Sequence, residues 1–585
     1  MKTSKSFHSK LILALILVAT THLSVQSQNL NVTGVTPLNQ VITAPINTGI
    51  TVQFDQPIAP ASVSATAFRV FGRWSGPMSG TITYEDNNQK LVFTPSGTFI
   101  AGEFINVMLS REIATSGGET LPAGYAWGFW ARTAPGILDQ PFDYQVNLRL
   151  AGEFTLQTYG AYAGDLNNDG FSDLTVVNET SDDLRILLND GFGQYSDFEI
   201  IPMGSSTPSP SEGGDFNNDG EIDLVVTTAW DNQIRTFVGH GDGTLTDMET
   251  YYNGDGARGV AVLDFNGDGW DDFFIVNRLS SDLTLMTNNG DGTFSVADDN
   301  TDAMGETAIM AADANQDGIT DLFVAAYYSN EVLLMVGDGE GNFSISDRTD
   351  VAGQPWMISA GDYNGDGFVD IASANSSGNS ISIVFGDGDG GLNEAATFTA
   401  TNINFPLALD AGDIDGDGDL DLATSNYGSA TFTIFENNGL GQFTAAATLN
   451  AVQLSSCAIL HDRDNDGDLD ITGTDEGADA IIFFINPNTP VSLPEMPVVP
   501  EALTIFPNPF SSTTTFSGNW PVQGRLVITN VLGQVIRDYA HPLGNVTWDG
   551  RDGNGHSMSA GLYFVHSVDG AGRVTGMGKV EKMGE

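Results

Sequence analysis

The sequence predicts an all-β chain in which a seven-bladed β-propeller lies between two β-sandwich domains. Three observations carry this reading. A nine-residue Asp-rich pattern recurs seven times, starting at residues 165, 215, 264, 313, 362, 413 and 462, a spacing of 49 to 51 residues throughout. Each repeat holds four short apolar segments, in the first copy "YGAYAG", "DLTVVN", "LRILLN" and "YSDFEII", which is the strand content of one propeller blade. Outside the repeats, short polar and apolar runs alternate between Pro and Gly turns, the pattern of a β-sandwich.

In chain order, residues 1–27 predict a secretory signal peptide: Lys2, Lys5 and Lys10 precede the apolar run "LILALILVA" and then small and polar residues up to Ser27. That run is short for a bilayer span, and no later stretch is long enough to attempt one, so the mature chain is expected to have no transmembrane segment. Residues 29–135, with "ITVQF", "LVFTP" and "WGFWA", predict the first sandwich, 140–488 the propeller, 489–500 a Pro-rich extended linker and 501–585 the second sandwich.

Acidic residues outnumber Lys and Arg by 75 to 21, giving a net charge of −54. Such a field repels nucleic acid and anionic lipid and suits the binding of divalent cations. With Cys457 as the one cysteine, no intramolecular disulfide can form despite the oxidising destination, so bound metal is the candidate for holding the loops. The chain is expected to be a monomer.

The first loop, "DLNNDGFSDL", begins as a calcium loop does, with carboxylate and amide groups at alternate positions and Gly170 at the sharp turn. An EF-hand would need a bidentate Glu at position 12, where this chain has Val176 within a strand-like run. Positions 1, 3, 5 and 9 therefore supply side-chain oxygens and position 7 a backbone carbonyl. In order these are Asp165, Asn167, Asp169, Phe171 and Asp173 in the first loop and Asp215, Asn217, Asp219, Glu221 and Asp223 in the second. The third has Asp264, Asn266, Asp268, Trp270 and Asp272, the fourth Asp313, Asn315, Asp317, Ile319 and Asp321, and the fifth Asp362, Asn364, Asp366, Phe368 and Asp370. The sixth has Asp413, Asp415, Asp417, Asp419 and Asp421, and the seventh Asp462, Asp464, Asp466, Asp468 and Asp470. With flexible oxygen ligands and water these loops suit up to seven structural Ca²⁺ ions, and the Asp at position 3 in the last two predicts tighter sites there.

Each loop joins strand one to strand two of its repeat, so the opposite face carries the links from strand two to three and into the next repeat. Reading those links gives Trp230, Arg278, Tyr327, Tyr328 and Tyr427, with Tyr159, Arg258 and Trp356 leading into strand one. Rigid rings beside a cationic donor suit a sugar or a protein hot spot, so these eight are the candidate ligand residues. No catalytic constellation is identifiable by spacing. His461 and Cys457 both read as packed strand residues, and an acid or base role for His461 stays the alternative.

The "DxNxDGxxD" loops, with the turns "NNGDGTF" and "GDGEGNF", resemble FG-GAP or VCBS repeats of bacterial surface proteins and the propeller of integrin α subunits. "NTGITVQFDQPIAPASVSATAFRVFG" with "LVFTPSGTFIAGEFINVMLS" resembles bacterial Ig-like domains, which implies an Ig-like sandwich acting as a spacer. "LTIFPNPF", "WDGRDGNGHSMSAGLYFV" and the basic end "GKVEKM" resemble the type A C-terminal sorting domain of proteins exported by the type IX secretion system of Bacteroidetes. That resemblance implies a second Ig-like sandwich, the type IX secretion machinery as a partner, and a protein secreted or held on the outer cell surface. The function these features imply is adhesion or recognition of a glycan or protein. The alternatives are a calcium-stabilised polysaccharide lyase or hydrolase and a structural coat component.

Overall fold

The computed structural model describes residues 29–583 apart from 205–206, 253, 300, 488–500, 519–523, 531–534, 541–543, 554 and 569–573. The expected signal peptide and linker lie outside the described residues. Two compact bodies are present, one up to Thr489 and one from Pro490 onward.

In the first body, residues 32–130 form two four-stranded antiparallel sheets enclosing an apolar core that includes Phe54, Val70, Leu91, Val107 and Phe129. Alternation explains the sheets: Ile50–Phe54 buries every second residue, as a strand with one covered face does.

The repeats form seven four-stranded antiparallel sheets. In the first, Thr158–Gly164, Asp173–Asn178, Asp183–Leu187 and Phe198–Pro202 pair in chain order. The second strand of every repeat is buried at all six positions, whereas fourth strands such as Phe343–Asp350 alternate exposed and half-buried residues. Burial thus falls from the inner strands to the outer one. Apolar clusters lie between consecutive sheets; Phe274, Val276, Leu322 and Val324, for example, join the third repeat to the fourth. Through these shared clusters neighbouring repeats stabilise one another.

The first strand of each repeat lies against the first strand of the next, and Thr158–Gly164 lies against Ser455–His461 of the last. The seventh sheet departs from the sequence pattern, which predicts four strands inside every repeat. Its fourth strand is Phe142–Asn147, from the front of the chain, paired antiparallel with Ala480–Phe484. Tyr144 stacks on Phe483 at 4.5 Å and Arg463 lies over both rings. Asp479 then accepts hydrogen bonds from the amides of Leu156 (2.9 Å) and Gln157 (3.0 Å), fastening the seventh repeat to the first.

The N-terminal sandwich packs directly against the Asp-rich loops. Arg69 forms a bidentate pair with Asp271 (2.7 Å to each oxygen), and Arg73 pairs with Asp410 at 2.8 Å. Backbone amides of Arg111, Ala126, Ala134 and Gly136 donate to the carbonyls of Gly267, Gly318, Gly467 and Asp415, all inside the loops. Trp74 is fully buried among residues of the first and last repeats. Its hairpin is held by Glu103, whose carboxylate accepts from the amides of Trp74, Ser75 and Ile100 and from the Ser75 hydroxyl.

The second body pairs a five-stranded sheet, which includes Arg525–Asn530 and Gly561–Val568, with a three-stranded sheet of Thr504–Phe506, Thr514–Ser517 and Val546–Trp548. Trp548, Phe510, Phe516 and Val565 fill its core. No helix among the described residues is long and apolar enough to cross a membrane.

Candidate functional site

The loops take one conformation. Position 6 has φ between +80° and +99° in all seven copies, where glycine is the residue without steric cost, and position 4 is left-handed as well, which accounts for its Asn, Gly or Gln. In the first loop Asp165 accepts from the amides of Asp169 (3.0 Å) and Gly170 (2.9 Å), while Asn167 and Asp169 each accept from the amide two residues on. Asp173 reaches further. Its carboxylate accepts from the amides of Leu166 (3.0 Å) and Asn189 (2.8 Å), locking the loop to the turn between strands three and four. Asp223, Asp321, Asp370 and Asp421 repeat both bonds.

Burial pushes the carboxyl of Asp173 up to about 7, that of Asp370 to about 8 and that of Asp421 to about 9, with neighbouring carboxylates adding to the rise. A compensating positive charge inside the loop would reverse these shifts. The donor set fits such a cation best in the last two loops. Carboxylate oxygens of Asp413, Asp415 and Asp417 lie within 4.8 Å of one another, as do those of Asp462, Asp464 and Asp466. Buried oxygens of Asp413, Asp419, Asp464, Asp468 and Asp470 have no hydrogen-bond partner among the described residues. Hard, oxygen-only, partly flexible donors are those calcium takes.

At the other end, the first strands enclose a cavity of about 290 Å³. Phe71, Phe104 and Trp130 of the sandwich line it from the loop side, while Tyr159, Arg258 and Trp356 line it from the far side. These last three sit inside first strands rather than in the links leading into them, a correction to the sequence expectation. Each is the unpaired residue of a β-bulge, between Thr158 and Gly160, Ala257 and Gly259, and Pro355 and Met357. A bulge turns its extra side chain out of the pleat, here onto the cavity lining.

The rings and guanidinium groups meet there. Trp356 Nε1 donates to Tyr159 Oη at 2.8 Å, and Arg258 lies 5.4 Å from the Tyr159 ring centre while pairing with Glu179 at 2.9 Å. Arg278 stands 5.0 Å over Trp356 and 5.9 Å from Tyr327, which packs edge-on against both Trp356 and Tyr328. Tyr427 Oη donates to Glu476 at 3.2 Å.

Seven of the eight predicted ligand residues belong to this group. Trp230 does not: it is 64% exposed, and Ala229 holds the position equivalent to Arg278 and Tyr327. Glu179 and Glu476 were missed by sequence reasoning, although both directly follow strand two, as Arg278 and Tyr427 do.

His461 is fully buried, with Nδ1 2.6 Å from Ser172 Oγ and Nε2 2.7 Å from Thr472 Oγ1, and burial lowers its basicity to a value of about 3. Cys457 lines the cavity, and its surroundings raise the thiol to about 11, which keeps it neutral and weakly nucleophilic.

A family model described as an FG-GAP-like repeat matches residues 165–226, 215–275, 264–324, 313–373 and 362–424, and one described as an FG-GAP repeat matches 405–444. A bacterial Ig-like domain matches 26–131. The chain therefore carries FG-GAP repeats behind a bacterial Ig-like domain, a combination typical of extracellular proteins that suggests adhesion or recognition. No curated protein matches the chain.

Among solved structures, a functionally unknown protein from Desulfotomaculum acetoxidans DSM 771 is 13% identical, with a TM-score of 0.37, covering 64% of this chain and 98% of its own. A protein from Lactobacillus plantarum is 12% identical, with a TM-score of 0.40, covering 67% of this chain and 98% of its own.

Proposed function

We propose that the seven sheets form a closed seven-bladed propeller of integrin-α-like design. Its Asp-rich loops hold structural calcium, and its opposite face recognises a glycan or protein outside the cell. The observation that carries this reading is the gathering of Tyr159, Arg258, Arg278, Tyr327 and Trp356 around one channel mouth while the sandwich covers the loop face. Large rigid rings beside a guanidinium give contact area at low entropic cost, the composition of binding hot spots. Seen this way the loops and the sandwich are scaffold, and the mouth is the working surface.

Export is proposed to use an N-terminal signal peptide and then the C-terminal body as a type IX sorting signal, read by that secretion machinery. The support is the motif combination "PNPF" and "SAGLYF" before a basic end. Truncation before residue 500 is expected to leave the chain in the periplasm, and surface delivery of the truncated chain would refute this part.

The functional reading is tested by incubating the full mature chain with a panel of algal, plant and microbial polysaccharides in calcium, scoring retained protein and new chain ends. Retention without new ends is expected. New chain ends would establish a degrading enzyme instead.

A further inference from the structure

One cation at the channel mouth stands apart from the rest. Arg258 is neutralised by Glu179, yet Arg278, a few ångströms across the same aromatic cluster, forms no ion pair among the described residues. Its Nε is buried without a hydrogen-bond partner, and no other part of its side chain donates to a described group. This occurs in a chain with 75 acidic residues and 21 basic ones, where carboxylate partners are abundant. A guanidinium offers five N–H donors in a rigid fork matched to a carboxylate or sulfate, so an unfilled fork held in place by Trp356 and Tyr327 is an anion seat. Burial and the like charge of Arg258 disfavour its protonated form, as expected for a cation whose counter-ion comes from outside.

What surrounds the seat narrows the ligand. Glu179 and Glu476 flank the mouth and are engaged by Arg258 and Tyr427. Their carboxylate oxygens are hydrogen-bond acceptors for hydroxyl groups. Tyr328, 48% exposed and packed edge-on against Tyr327, offers flat apolar contact. One anion, several hydroxyls and an apolar ring face on the same small unit describe an acidic sugar, and an acidic peptide lacks the hydroxyls.

We propose, resting on the recognition reading above, that the channel mouth binds an acidic saccharide, its carboxylate or sulfate seated on Arg278 and its ring against Tyr328.

The test is calorimetric titration of the full mature chain in calcium with four probes: an oligogalacturonate, a sulfated oligosaccharide, a neutral maltooligosaccharide and poly-aspartate. Expected is binding of at least one of the two acidic saccharides, at least tenfold tighter than the neutral one, and weakening with added salt. The same acidic probe should lose tenfold or more in affinity with Arg278→Ala, less with Arg278→Lys, and nothing with Trp230→Ala. The two acidic arms separate carboxylate from sulfate recognition. Equal binding of neutral and acidic sugars, with Arg278→Ala unchanged, overturns the anion seat and leaves recognition standing. Preferred binding of poly-aspartate overturns the saccharide class, and binding of no probe overturns the proposal. The salt dependence of the unmodified chain keeps the test decisive if a variant misfolds.

Discussion

Arg69 and Asp271 form a buried, bidentate ion pair between the N-terminal sandwich and the third Asp-rich loop, both nitrogens 2.7 Å from their oxygens. Asp271 also accepts from the amide of Asp215 in the second loop, at 3.0 Å. One carboxylate thus joins the sandwich to two repeats. Removing one partner of such a pair leaves the other charge buried and unpaired, so Asp271→Ala is expected to cost about 3–5 kcal/mol. The double change Arg69→Met with Asp271→Leu should cost less than Asp271→Ala alone. Urea unfolding of the three proteins checks this, and equal losses would show that the pair does not carry the docking.

Calcium is expected to stabilise the repeats by mass action. A site filled at a hundred times its dissociation constant adds about 2.7 kcal/mol, so chelation should lower the melting temperature markedly. Scanning calorimetry with and without EGTA measures it, and superimposable traces would rule out a structural ion.

The sixth and seventh loops should hold the tightest ions, because they alone place Asp at position 3 and leave buried carboxylate oxygens without partners. Asp415→Asn with Asp464→Asn converts that position to the residue the other five loops carry. Calcium titration should then show the high-affinity class merging with the rest. Its persistence would mean that position 3 does not set affinity.

The cavity wall carries Glu212, whose burial raises its carboxyl to about 7, with Arg73 acting in the opposite direction. A folded-state value above the unfolded one means the folded chain binds more protons. The stability this group contributes is therefore complete below about pH 4.5 and is lost as pH rises through about 7. Glu212→Gln should flatten that slope and stabilise the chain above pH 7 by no more than about 3 kcal/mol, less where water enters the cavity. Denaturation midpoints of both proteins from pH 5 to pH 8 decide it, and parallel profiles would contradict it.

The buried His461 bridges the hydroxyls of Ser172 and Thr472, at 2.6 and 2.7 Å. His461→Phe strands both and should cost about 1–3 kcal/mol of stability while leaving polysaccharide retention unchanged. A loss of binding or turnover at undiminished stability would instead assign it a role at the channel.

The repeats were legible because their period fixes strands and loops together, and the loop residues declare their own backbone through Gly at position 6. The fourth strand of the seventh sheet was not legible: Phe142–Asn147 is a half-exposed six-residue strand whose partner lies more than 330 residues away, and no local pattern announces that pairing. Sandwich docking was hidden for the same reason, since Arg69 and Asp271 stand 202 residues apart. The channel mouth was half legible. Aligning the repeats puts Ala229, not Trp230, beside Arg278 and Tyr327, and the same register would have found Glu179 and Glu476. That Tyr159, Arg258 and Trp356 occupy bulges required the pairing itself.

Recognition is proposed to belong to the face opposite the loops. Its most direct measurement compares retention of the full mature chain, Trp356→Ala and Trp230→Ala on the polysaccharide panel in calcium, with new chain ends counted in parallel. The unmodified chain and Trp230→Ala should be retained, Trp356→Ala should be released, and no new ends should form. Equal retention of Trp356→Ala, or the appearance of new chain ends, would contradict it.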